Sequence, residues 1–232
     1  MRFSVVATSL LIFAASVSSV MGQGVADWQA SAESYSPGFL ATGISEPMQM
    51  DIGMYEVATD GGVTYEFIYN VPEIMGASSA FMGSLSAPDG QSAGLKLDQW
   101  PNSGTFGVTA FGVADYTSGT AHIVGADTHV VFVADGTDMA IYVNGAFAET
   151  LPDASIELGG LTGIGHAYNH GSDGSVDPLD GTLIGVAVYD SALPAEAISA
   201  NFTAYVVPEP SAGSMMLVVV AAGLAMIRRR NR

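Results

Sequence analysis

The stretch HVVFVADGTDMAIYVNGAFAET, residues 129–150, holds three β-prone runs parted by two turn signals. Asp135 to Asp138 (DGTD) separates THVVFVA from MAIYVN, and Asn144-Gly145 separates MAIYVN from the run that follows. A two-residue hairpin turn needs positive φ at both central positions, which Asn and Gly tolerate best. The stretch therefore predicts three successive antiparallel strands, a meander.

The same pattern extends outward. VTYEFIYNV (63–71), AGLKL (93–97), TFGVTAFGV (105–113) and TLIGVAVY (182–189) recur between clusters of Gly, Asp, Asn and Pro. Helical periodicity is missing from most of the body, so the fold class expected is all-β: an antiparallel sandwich or jelly roll. One short helix is predicted at LPAEAISANF (193–202), with Pro194 in its first turn and Leu193, Ala197 and Ile198 facing inward. The remaining segments read as loops, and residues 24–62 give little pattern. The chain has no cysteine, so no disulfide framework or thiolate metal site is available.

Charge is divided unevenly. Between residues 23 and 206 there are 22 acidic residues against Lys96 alone, a net charge of −21, while five of the six basic residues stand at the chain ends. Such a body repels nucleic acid and anionic lipid headgroups. Because the acids are scattered, they serve solubility or the attraction of cations.

Both ends read as processing segments. MRFSVVATSLLIFAASVSSVMGQG has an arginine, an apolar run from Val5 to Val17 and then small residues, the layout of a secretory signal peptide cleaved near Gly22 and Gln23. At the other end, VPEP (207–210) precedes an uncharged apolar segment of 16 residues, Ala212 to Ile227, and then Arg228, Arg229 and Arg230. A segment of that kind predicts a short transmembrane helix with the arginines held cytoplasmic. Pro208 and Pro210 keep the tetrapeptide extended. Motif, apolar segment and basic tail together (207–232) resemble the PEP-CTERM sorting signal of Gram-negative bacteria. The resemblance implies handling by an exosortase at the inner membrane, with Pro208, Glu209 and Pro210 as the motif, and delivery to the envelope or extracellular matrix.

Residues 128–202 resemble the laminin-G-like, concanavalin A-like jelly-roll superfamily. His129, Val130, Asp135, Gly136, Ile141, Tyr142, Val143, Asn144 and Gly145 fall where that family has a strand, a turn and a strand ending in Val-Asn-Gly. In LDGTLIGVAVYDSALPAEAI (179–198), Asp180, Gly181, Ile184, Val188 and Tyr189 match its closing strand. Ala192, Leu193, Ala195, Glu196 and Ile198 match the ensuing helix. Two positions depart from the pattern: Gly185-Val186 replace an Asp-Glu pair, and Thr128 replaces an aromatic.

Some members of the superfamily are hydrolases, and glycoside cleavage needs two carboxylates about 5 to 10 Å apart. No Glu-x-Asp-x-Glu or Glu-x-Asp-x-x-Glu strand is present; the nearest candidates, Glu56, Asp60 and Glu66, are split by Gly61-Gly62. His166 and His170 have zinc-helix spacing, but the flanking glycines oppose a helix and Ala167 stands where the catalytic glutamate would be. No phosphate-binding Gly-x-x-x-x-Gly-Lys loop occurs. In NHGSDGSVDPLDG, Asp173, Asp177 and Asp180 could bend round a calcium ion or form a solvated acidic turn. Trp100 and Tyr168 are the loop aromatics that could offer a flat face to a sugar.

The expectation is an exported, non-enzymatic protein with a signal peptide (1–22), a β-sandwich (23–206) and a sorting signal (207–232). Its partners would be an exosortase and an extracellular polysaccharide or surface component. A carbohydrate-active enzyme and a ligand-free matrix protein are the alternatives.

Overall fold

Val63, Tyr65, Phe67 and Tyr69 enter one apolar cluster, whereas Ile68 enters another on the opposite side of the same strand. Period-2 alternation with both faces buried requires a cover on each side, and the chain supplies two. A second sheet packs on one face and a pair of helices on the other.

The computed structural model describes residues 24–57, 61–74, 78–88, 92–100 and 104–206. Its strands are β1 (Phe39–Ile44), β2 (Met48–Asp51), β3 (Val63–Asn70), β4 (Ser79–Leu85), β5 (Ala93–Asp98), β6 (Thr105–Ala110), β7 (Ala114–Ala121), β8 (Thr128–Ala134), β9 (Met139–Val143), β10 (Ala146–Leu151), β11 (Leu161–Ile164), β12 (Ala167–Asn169), β13 (Gly174–Val176) and β14 (Thr182–Tyr189). Residues 24–33 form helix α1 and Ala195–Val206 helix α2. The expected signal peptide, the motif at Pro208 to Pro210, the apolar segment 212–227 and the terminal arginines lie outside the described residues. Among those described, no helix is long and apolar enough to cross a membrane.

The first sheet runs β1-β14-β3-β8-β9-β10, antiparallel throughout. The second runs β13-β12-β4-β5-β6-β7, with β11 joined to β4 and β2. Its pairings are antiparallel except for β12 with β4. The all-β sandwich expected from sequence is therefore present, and β8, β9 and β10 are the predicted meander. Its second turn has Asn144 at φ 50° and Gly145 at φ 76°, the paired left-handed conformation that favours these residues.

Between the sheets lies an aromatic cluster. Phe67 stacks on Phe81 with ring centroids 4.9 Å apart, and Phe106 and Phe132 close around them. At one side of the sandwich, Glu149 of β10 accepts from the Ser118 and Thr120 hydroxyls and from the Gly119 amide of β7. These bonds clasp the edge strands of the two sheets.

Helix α2 confirms Leu193, Ala197 and Ile198 as buried. The Pro194 carbonyl accepts from the amides of Ala197 and Ile198, so the proline caps the helix from just outside rather than sitting within its first turn. Helix α1 corrects the reading of 24–33 as loop. Only Trp28 and Ala32, one turn apart, are fully buried from it, too few apolar positions to show a period. TFGVTAFGV is likewise one strand only to Ala110, where a turn takes over.

What fastens the helices is a buried carboxylate. Glu66 of β3 has no exposed surface. Its Oε1 accepts from Trp28 Nε1 at 2.8 Å and His129 Nε2 at 2.7 Å, and its Oε2 from the Tyr189 hydroxyl at 2.5 Å and Asn201 Nδ2 at 2.9 Å. The Ser31 hydroxyl in turn donates to Asn201 Oδ1. Three strands and both helices thus meet at one ion. Gly185, the departure from the family pattern on β14, has its physical reason here. A β-carbon at that position would lie 2.5 Å from the Trp28 ring. At the outer end of the helices, Gly24 packs so closely that a β-carbon would lie 2.5 Å from the Tyr205 carbonyl oxygen.

Burial alone would push the Glu66 carboxyl up, but the hydrogen bonds from His129, Tyr189 and Trp28 outweigh it and hold the group below its ordinary value of 4.5. A depressed folded value means that the stabilisation is present above pH 4.5 and is lost as the pH falls through that lower value. Glu66→Gln turns an amide toward four donors and should cost roughly 3–5 kcal/mol at neutral pH. Denaturation at a series of pH values should show the wild type losing more stability on acidification than the variant; equal losses would remove Glu66 as the source. Trp28→Ala should cost about 3–5 kcal/mol, read as a lower denaturation midpoint.

Candidate functional site

The face of the second sheet turned away from the core is paved with small residues. Strand register places Ala167, Gly83, Gly94, Thr109 and Asp115 in one row across it, and Ala80, Lys96, Gly107 and Thr117 in the next. Where glycine forms the floor, long side chains can lie flat. A β-carbon on Gly94 would reach Phe111 and the Lys96 stem at 3.5 and 3.6 Å, and one on Gly107 would reach the Gln99 amide at 2.8 Å.

Lys96 uses this space. The residue is 1% exposed, with its ammonium on the Ser78 hydroxyl and the Asp177 carboxylate and 5.0 Å from the centre of the Phe111 ring. Burial pulls the Lys96 ammonium below the ordinary lysine range, and the bond and charge of Asp177 pull the other way. Beside it, Gln99 Nε2 donates to Thr109 Oγ1 at 3.2 Å, and that hydroxyl donates to Asp115 Oδ1 at 2.8 Å. The Asp98 carboxylate accepts from the Gly104 amide at 2.5 Å. It also meets His122 Nε2 at 2.9 Å.

Above this bed opens a groove of about 620 Å³ lined by Trp100, Thr109, Phe111, Asp115 and Asp177 among others. Trp100 is 65% exposed and shares the groove wall with Thr109, Asp115 and Asp177. A larger hollow of about 1070 Å³ lies between α1 and α2, but its walls are small side chains with Asp27 and Glu196 and hold no aromatic. The smaller groove has the chemistry: a few placed polar groups beside an apolar plate.

Of the residues singled out from sequence, Trp100 and Asp177 come together here. Tyr168 does not join them. It lies on β12 rather than in a loop and is 8% exposed, with its hydroxyl on Asp173 and its ring edge on His170. Asp173, Asp177 and Asp180 do not bring their carboxylates to one point. Asp177 faces the Lys96 ammonium, Asp173 takes the Tyr168 hydroxyl, and among the described residues no three His, Cys, Asp or Glu side chains gather as a metal site. His166 is buried with Nδ1 on the Ile164 carbonyl, away from any helix. Glu66, sealed under α1 and α2, reaches no groove.

Sequence reading missed Thr109, Phe111 and Asp115. They flank the β6–β7 turn, where Gly112 takes φ 77°. The Phe-Gly pair was a usable turn signal, but it lay inside a run read as continuous strand.

Comparison with solved structures shows the same sandwich. The carbohydrate-binding module CBM40 of the Ruminococcus gnavus IT-sialidase, bound to α2,6 sialyllactose, superposes with a TM-score of 0.52 at 16% identity, covering 72% of this chain and 100% of that one. Domain 4 of the GH43 arabinanase AbnA from Geobacillus stearothermophilus, with arabinotriose, gives 0.47 at 15% identity over 61% of this chain and 66% of that one. The NanB sialidase of Streptococcus pneumoniae gives 0.48 at 16% identity over 71% of this chain, which spans only 28% of the sialidase. No curated protein matches the chain in sequence. A family model, Laminin_G_3, matches residues 49–199, a span that includes both sheets' central strands and the Trp100 groove. The chain belongs to the concanavalin A-like lectin/glucanases superfamily.

Proposed function

We propose that this protein is an exported, non-catalytic carbohydrate-binding sandwich that holds a glycan in the groove beneath Trp100. The observation that carries the reading is the exposed indole of Trp100 set beside Asp115 and Thr109 on a rigid sheet. A flat aromatic face takes the apolar face of a sugar ring, while fixed carboxylate and hydroxyl oxygens take its hydroxyls. The CBM40 module, which shares the fold, is itself bound to sialyllactose, which supports a glycan ligand without naming this one.

A second reading rests on the same groove. Asp115 and Asp177 both line it, and paired carboxylates are what glycoside hydrolysis uses. The ion pair of Asp177 with Lys96 favours binding over catalysis, because a carboxylate committed to an ammonium is a poor proton donor. Delivery belongs to the same proposal. Export by the N-terminal segment and sorting by an exosortase through Pro208, Glu209, Pro210 and Arg228 to Arg230 would place the domain in the envelope or matrix.

In affinity electrophoresis against a panel of polysaccharides, the wild-type protein should be retarded by at least one, and Trp100→Ala should lose about 1–3 kcal/mol of binding, roughly 5- to 150-fold, with its unfolding midpoint unchanged. No retardation by any glycan would sink the binding reading. Release of reducing sugar that disappears in Asp115→Asn would establish the hydrolase instead. For sorting, Glu209→Ala or removal of Arg228 to Arg232 should leave the protein in the inner membrane fraction; unchanged delivery of both variants would refute that assignment.

A further inference from the structure

We infer that the Trp100 groove selects uncharged glycans and rejects acidic ones, such as chains bearing sialic acid, uronic acid or sulfate. The inference rests on the carbohydrate-binding reading and adds the charge class of the ligand. Recognition of a carboxylate or sulfate relies on Arg or Lys donors, whose charge-assisted bonds repay the desolvation of the anion. Residues 24–206 hold one such group, Lys96, and no arginine.

Lys96 is not available to a ligand. Its 1% exposure, the Asp177 carboxylate on its ammonium and the Phe111 ring beside it leave the charge both covered and neutralised. Histidine offers no substitute: His122, His129 and His166 are buried, and His170 packs on Tyr168 and the Ser84 hydroxyl.

The groove itself presents the opposite sign. Asp177 is balanced by Lys96, which leaves Asp115 as the unbalanced charge on its wall, and the surrounding body carries −21, so an incoming anion meets repulsion at long range and a like charge at contact. An uncharged sugar meets neither obstacle. Its hydroxyls donate to Asp115 and its ring lies on Trp100. The glycine floor limits side-chain donors further, since Gly83, Gly94 and Gly107 contribute only backbone to this face.

The test uses matched pairs in which esterification removes the charge, with the purified full chain in detergent: polygalacturonate against its fully methyl-esterified form, and sialyllactose against its methyl ester. The uncharged member of at least one pair should bind at least tenfold more tightly, with little dependence on salt, and Asp115→Asn should narrow the gap. Tighter binding of the acidic member, weakening as salt rises, would overturn the inference while leaving the carbohydrate-binding reading intact. Uncharged binding that survives Trp100→Ala unchanged would place the ligand elsewhere and overturn it as well. Failure to bind either member of any pair, or any other polysaccharide, would overturn both.

Discussion

An ionised carboxylate without access to water must be surrounded by donors, and Glu66 obtains them from four residues spread over the whole chain. Trp28 comes from α1, His129 from β8, Tyr189 from β14 and Asn201 from α2. Leaving any one unplaced strands a buried charge, which is among the costliest faults a fold can contain. The central strands of the first sheet and its helical cover are therefore specified together. Apolar contact alone would let the helices slide, whereas four directional bonds fix their position on the sheet.

The second sheet solves a different problem on its outer face. Its cover is the side chains of Lys96, Gln99 and Phe111 lying over glycine, not a helix. Lys96 buries its aliphatic stem there and is tolerated because Asp177 neutralises it across 81 residues of sequence. The result is a bed whose polar groups are already hydrogen-bonded to one another. A ligand settling on it orders little that is not ordered beforehand, which is where binding energy is most easily lost.

How much could be read in advance followed the range of the interactions. The turn at Asn144-Gly145 and the meander around it depend on backbone preferences within a few residues, and they stand as expected. Helix α1 depends on a Trp28 side chain that finds its partner 38 residues away, so no local pattern announces it. Tyr168 was misplaced for the same reason: glycines around it suggest a loop, but a three-residue strand forms there by pairing parallel to β4. Trp100 was legible because a tryptophan in a polar stretch before proline has little apolar company. The polar groups beside it were not, since only the register of β5, β6 and β7 aligns them.

The close approach of Gly24 to the Tyr205 carbonyl sets how a tethered molecule presents itself. Gly24 and Tyr205, near the two ends of the described residues, meet at one corner on the helix-covered side. The indole plate belongs to the far side, with both sheets in between. A protein held by its C-terminal segment would thus stand with its attachment point beneath it and its groove directed outward, toward whatever lies beyond the anchoring surface. On the proposed delivery, cleavage near either end would leave every residue that lines the groove in place.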